Sequence, residues 1–137
     1  MVWAAIVIFV GLQLAVRLTP VDPVRAHIDP FEAADPDRKG AKILRLVPLP
    51  PEEALVRLVS EIATTPRTRL IAGATGEVRL TYVTRTAFWG FPDVTTVAVR
   101  PHVDGAELAL LGRARIGSYD WDVNEKRLSG WLAAAGL

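Results

Sequence analysis

Glu77-Val78-Arg79-Leu80-Thr81-Tyr82-Val83-Thr84-Arg85-Thr86-Ala87-Phe88-Trp89 is the stretch that decides the fold. Val78, Leu80, Tyr82, Thr84 and Phe88 fall on one side of it. Arg79, Thr81, Val83 and Arg85 fall on the other, the period of two that an extended strand imposes. Working outward, Gly90-Phe91-Pro92-Asp93 reads as a loop and Val94 to Arg100 as the next strand, with Thr95, Val97 and Val99 on one side. Asp104-Gly105 is a hairpin signal. It leads into a strand from Ala106 to Ile116 with Leu108, Leu110, Ala114 and Ile116 aligned. On the N-terminal side, Arg67 to Ala72 forms a first strand, turned by Gly73-Ala74-Thr75-Gly76.

Two helices bracket these strands. Proline at a first helical position followed by acids favours a helix start, because the acids complement the helix dipole. Pro51, Glu52 and Glu53 supply this, and Leu55, Leu58, Val59 and Ile62 then share one face until Thr64-Thr65-Pro66 ends the run. The second helix spans Val123 to Ala135, with Leu128, Trp131, Leu132 and Ala135 on its apolar face. Asp122 is its expected cap, with Glu125 completing a capping box and Gly136 just past its end.

Residues Val2 to Leu18 are apolar except for Gln13 and Arg17. At 1.5 Å per residue they would reach about 25 Å, the short end for a bilayer core. The stretch lacks the basic leader and small-x-small site of a cleaved signal peptide. It also lacks the stripe of a core helix. It is therefore expected to be an uncleaved anchor, with Trp3 at one interface and Arg17 snorkelling to the other. The predicted architecture is an α+β fold. A four-stranded antiparallel sheet, five-stranded if Lys42 to Val47 joins it, carries two helices on one face and follows one N-terminal transmembrane helix. The expected division is anchor 1–18, extended Pro-rich connector 19–50, and α+β domain 51–137.

The connector holds Pro20, Pro23, Pro30, Pro36, Pro48 and Pro50, which withhold donors and push their predecessors out of helix. His27 within it reads as a polar surface group rather than a metal ligand. The expected location is the inner membrane, single-pass. Arg17 and Arg25 follow the span, which by the positive-inside rule favours a cytoplasmic domain. The habit of short N-terminal anchors to carry exported domains favours the periplasm, and that is the orientation taken.

The 137 residues allow one domain. A formal charge of +1 argues against a nucleic-acid partner, and the absence of cysteine excludes disulfides, thiol nucleophiles and cysteine metal sites. Two histidines, His27 and His102, leave no evident triad, and no glycine run has a phosphate-loop context. No cofactor or metal is expected.

Three groups are candidates for function. The alternation puts Arg79, Arg85, Arg100, Arg113 and Arg115 on the sheet face away from the helices, a set suited to phosphate or carboxylate oxygens. The competing reading is a solvated face paired with Glu77, Glu107 and the connector acids Glu32, Asp35 and Asp37. Trp89, Phe91 and Pro92 form a candidate interaction loop, with ordinary core or interface packing as the alternative. Asp120, Asn124 and Arg127 form a polar cluster at a helix entrance, read as a cap more than as a site, with Arg127 tied to the strand at 106–116.

From Thr81 onward the chain resembles the bacterial family known as domain of unknown function 1499. The resemblance rests on Tyr82-Val83-Thr84-Arg85, Gly90-Phe91-Pro92-Asp93 with Thr95-Thr96-Val97, and Gly112-Arg113-Ala114-Arg115-Ile116-Gly117. Its most specific part is Asp120-x-x-Val123-Asn124 followed by Arg127-Leu128 and Trp131-Leu132, and His27-x-Asp29-Pro30 fits less specifically. Asp122 departs from it, standing where the pattern leads one to expect glycine. The resemblance implies membrane anchoring in many members and no established chemistry.

The resulting expectation is a non-enzymatic accessory or binding protein, a single-span subunit docking on a larger membrane protein complex or the bilayer. The alternatives are a binding module for an anionic lipid or small amphiphile, and an envelope enzyme with an unrecognised site.

Overall fold

A computed structural model describes every residue except Thr75 and Ser118, so the turn expected at Gly73-Ala74-Thr75-Gly76 falls partly outside the described residues. The elements run α1 (Val2–Leu18), α2 (Pro23–Ala26), β1 (Gly40–Val47), α3 (Pro51–Ala63), β2 (Thr68–Ala72), β3 (Arg79–Arg85), β4 (Pro92–His102), β5 (Gly105–Ala114) and α4 (Val123–Ala134). The five strands form one antiparallel sheet in the order β1-β5-β4-β3-β2. β1 and β2 occupy opposite edges, so α3 carries the chain across the sheet between them.

The helices settle on one face because the strand alternation leaves that face apolar. Leu80, Tyr82, Val97, Val99, Leu108 and Leu110 from the sheet pack against Leu55, Leu58 and Ile62 of α3 and Leu128, Trp131 and Leu132 of α4. The Trp131 indole donates to Thr65 Oγ1 at 2.8 Å, joining α4 to the end of α3. Val78 and Phe88, expected on this core side, are exposed at 65% and 63%. The reason is that β3 is shorter than its alternating pattern. Pairing starts at Arg79 and stops at Arg85, where the Gly90 N–H reaches back to the Thr86 carbonyl and closes a turn.

The opposite face is buried as well. Val83, Val94, Ala98, Ala109 and Leu111 alternate onto it and are at most 4% exposed. The Pro-rich segment lies over this face. Asp22 accepts from the amides of Val24 and Arg25 and starts α2, which carries buried Ala26 onto the sheet. Lys42 Nζ then holds the carbonyls of Phe31 and Ala33.

The expected transmembrane helix is not found. α1 has 17 residues, and no helix among the described residues is long and apolar enough to cross a membrane. A rise of 1.5 Å per residue gives it about 25 Å against a hydrocarbon core of about 30 Å. Arg17, expected to extend its reach by snorkelling, is instead bonded to the carbonyls of Ala87 and Phe88.

The cap of α4 also differs from expectation. Asp122 makes no side-chain cap. Asp120 does so: its carboxylate accepts from the amides of Asp122 and Asn124 at 3.0 and 3.2 Å. To bring Asp120 there, Trp121 and Asp122 both take left-handed backbone, with φ of 56° and 60°. This explains why a glycine suits position 122, since only glycine takes that region without steric cost. Asp122→Gly is expected to raise stability by about 0.5–1 kcal/mol. A urea titration measures this, and a lowered midpoint would refute the assignment of strain.

Candidate functional site

β3, β4 and β5 place Arg79, Arg85, Arg100 and Arg113 on the face away from α3 and α4, as alternation predicts. Arg115 follows the end of β5 and is exposed. The four do not form an open surface, because each is engaged. Arg100 bonds Glu107 at 2.7 Å and stacks over Phe31 at 4.1 Å. Arg79 donates to His27 Nε2 at 3.3 Å. Arg113 donates to the Ala26 carbonyl at 2.8 Å and to Thr96 Oγ1 at 3.1 Å, while its Nε is buried with no acceptor. Lacking a carboxylate partner, this guanidinium is pushed down to about 10 by burial and, secondarily, by Arg115.

His27 is not a plain surface group. Its Nδ1 lies 2.8 Å from Thr81 Oγ1, which in turn meets Thr96 Oγ1 at 3.0 Å. A polar lane thus runs from His27 through Thr81 and Thr96 to Arg113 and locks the N-terminal segment to the sheet. Burial first, then Arg79, hold His27 below the usual imidazole range, against an opposing pull from Glu77. The pairing is not a nucleophile and base in working position: Thr81 is fully buried and its hydroxyl is shared with Thr96.

Arg85 clamps the C-terminal end of α1. Its Nη1 donates to the carbonyls of Val16 and Gly90, and its Nη2 donates to the Thr19 carbonyl at 2.7 Å. The Val16 carbonyl belongs to the last turn of α1, where a cation also complements the helix dipole, and it accepts the Thr19 amide as well. Arg17 returns the contact from the helix to Phe88 O at 2.7 Å. The candidate loop completes the joint. Trp89 stacks on Phe91 at 6.0 Å and meets the Phe9 ring edge-on at 5.7 Å, with Phe88 beside it. Pro92 is buried in register with Arg85. Gly90, at φ 76°, permits the close approach, since a Cβ there would stand 2.5 Å from Arg17 Cγ.

Asp120, Asn124 and Arg127 come together as one network. Asn124 Nδ2 donates to Asp120 Oδ2, and Arg127 Nη1 donates to Asn124 Oδ1 at 3.1 Å. Arg127 Nη2 then reaches Asp93 Oδ2 at 3.1 Å, with both side chains nearly buried. Arg127 therefore ties α4 to β4, not to the strand at 105–114. Asp93 was not foreseen, because its place in Gly-Phe-Pro-Asp reads as a loop residue. Burial raises its carboxyl above the ordinary range, and Arg127 opposes that rise.

Sequence reading also missed a cleft of about 400 Å³ lined by Arg17, Arg67, Thr68, Arg69, Val83 and Arg85. The signal was present: Arg67-x-Arg69 is an alternation, and Arg69 pairs with Val83 on the face that carries Arg85. No group of three or more His, Cys, Asp or Glu able to hold a metal occurs among the described residues.

Among solved structures the chain is similar to protein MLL2253 from Mesorhizobium loti. The identity is 14%, the coverage is 66% of this chain and 87% of that one, and the TM-score is 0.51. It is also similar to protein CV1439 from Chromobacterium violaceum, with 13% identity, 71% and 91% coverage and a TM-score of 0.44. At such identities the first likeness speaks for the fold alone. No curated protein matches the chain. The family model for the protein of unknown function DUF1499 matches residues 18–134, a span that takes in the polar lane, Arg85 and the Asp93–Arg127 network, and the chain belongs to that family.

Proposed function

We propose that the protein is a non-catalytic accessory protein that docks on a larger membrane protein complex through α1 and the aromatic joint beneath it. The observation that supports this reading is α1 itself. None of its 17 residues is buried. Trp3, Val7 and Ile8 are 80%, 69% and 70% exposed, and Ile6, Leu12, Leu14 and Leu18 are exposed as well. A helix that is apolar on every side needs an apolar environment on every side, and one shallow groove covers only part of it. The packed helices of a membrane assembly offer such surroundings without requiring α1 to cross a bilayer. The remaining domain would then stand at the periplasmic face of the inner membrane.

The joint has the stiffness this role needs. Reciprocal clamps by Arg85 and Arg17, together with the Phe9–Trp89–Phe91 stack, fix the helix direction relative to the sheet.

The test is a native gel of detergent-extracted membranes, combined with photo-crosslinking from position 8 of the full chain. The expected outcome is a high-mass complex and one crosslinked partner subunit. Val7→Arg with Leu14→Arg should release the chain as a monomer with no adduct. A wild-type chain that migrates at its own mass, without an adduct, would sink the proposal.

A further inference from the structure

The cleft below the end of α1 gathers four guanidiniums and no acid. Arg17 comes from the end of α1, Arg67 and Arg69 from the approach to β2 and its second residue, and Arg85 from the end of β3. None of the four takes part in an ion pair among the described residues. Two are fixed by backbone carbonyls: Arg85 on Val16, Thr19 and Gly90, and Arg17 on Ala87 and Phe88. Arg67 commits its Nε to the Arg85 carbonyl at 3.1 Å, and Arg69 makes no side-chain hydrogen bond among the described residues. Both are exposed at the mouth of the cleft.

Like charges held this close repel one another. The effect is visible at Arg85, which burial first and Arg69 second hold below the ordinary arginine range. Such a cluster is stabilised by a counter-ion with enough oxygens to engage several forks at once. A carboxylate offers two oxygens, whereas a phosphate group offers more acceptors arranged in three dimensions.

We propose that this cleft binds a phosphate group, taken by the guanidinium forks of Arg67 and Arg69 against the fixed positive floor of Arg17 and Arg85. The group belongs either to a lipid headgroup or to a soluble phosphate compound. The site does not depend on what α1 docks against, and its failure is read on different residues.

Two measurements on the full chain in mild detergent or on vesicles decide the matter. Inorganic phosphate should raise the melting temperature saturably over chloride at equal ionic strength. Alternatively, vesicles of phosphatidylcholine with phosphatidylglycerol should bind more protein than pure phosphatidylcholine. Arg67→Ser with Arg69→Ser should abolish the phosphate shift and weaken anionic-vesicle binding by about twenty-five-fold, at about fivefold per basic side chain. Arg38→Ser with Arg45→Ser removes the same charge elsewhere and should leave both effects largely intact. A vesicle preference that phosphate competes away identifies the headgroup. A phosphate shift without vesicle preference identifies a soluble ligand. The proposal is overturned if neither probe distinguishes wild type from the Arg67/Arg69 variant, or if the control variant loses as much.

Discussion

Arg127→Leu should cost about 3–5 kcal/mol of stability, the loss expected when one member of a buried ion pair is removed and the other is left behind. Arg127 and Asp93 have side chains only 13% and 7% exposed, so water cannot replace the lost partner. The substitution also strips Asn124 Oδ1 of its donor. Chemical denaturation in urea should show the lowered midpoint with an unchanged slope. The pH dependence gives a second handle. Burial already raises the Asp93 carboxyl, and Arg127 pulls it back. Without Arg127 its folded pKa rises further above the unfolded value. The folded state then takes up a proton more readily than the unfolded one, so lowering the pH through that window restores stability. The defect of Arg127→Leu should therefore shrink towards acid pH. A defect that is small, below about 1 kcal/mol as for exposed pairs, and flat with pH would show that the pair is not buried in solution.

The strands and the two domain helices were legible because their signals are local. Alternation placed Leu80, Tyr82, Val97 and Leu108 on one face, and the Pro51-Glu52-Glu53 start marked α3 to the residue. What was not legible depends on contacts between distant segments. The same alternation that puts Arg79, Arg85, Arg100 and Arg113 together does not say that residues 19–39 will cover them. Arg85 and Arg113 find their acceptors among the backbone carbonyls of Val16, Thr19 and Ala26, which no side-chain pattern encodes. The membrane reading of residues 2–18 followed from their apolar character, their length and the lack of a signal-peptide pattern or an apolar stripe. The span expected, Val2 to Leu18, is the helix observed, but its 17 residues are too few to cross, and hydropathy did not reveal that the Arg17 side chain turns back onto Ala87 and Phe88. The cap was misplaced by two residues for a similar reason: Asp122 precedes the helix in sequence, but the left-handed turn at Trp121 and Asp122 aims Asp120 at the free amides instead.

Gly112→Ala should be nearly as damaging as the loss of Arg127, and it tests whether the helix entrance and the sheet form one unit. A Cβ at Gly112 would stand 2.6 Å from Asn124 Oδ1 and 3.0 Å from its Cβ and Cγ. Neither side can easily give way. Gly112 is paired with Ala41 of β1 on one side and Thr95 of β4 on the other. Asn124 is fully buried, and both ends of its amide are in use, donating to Asp120 and accepting from Arg127. Overpacking of this kind costs about 1–3 kcal/mol, and each buried hydrogen bond forced apart adds about 1 kcal/mol. A total of about 3 kcal/mol would lower the melting temperature by roughly 10 °C for a domain of this size. Truncating the obstructing side chain separates the steric cause from a general weakening of the sheet. Asn124→Ala alone should be destabilising, because it unpairs Asp120 and Arg127. Combined with Gly112→Ala it should cost clearly less than the two losses added together, since the contacts with Asn124 Oδ1 and Cγ are then gone and only the one with Cβ remains. Strict additivity in that double-mutant cycle would mean that Gly112 matters for the strand and not for the close approach of α4, and the glycine would have no part in positioning the Asp93–Arg127–Asn124–Asp120 network.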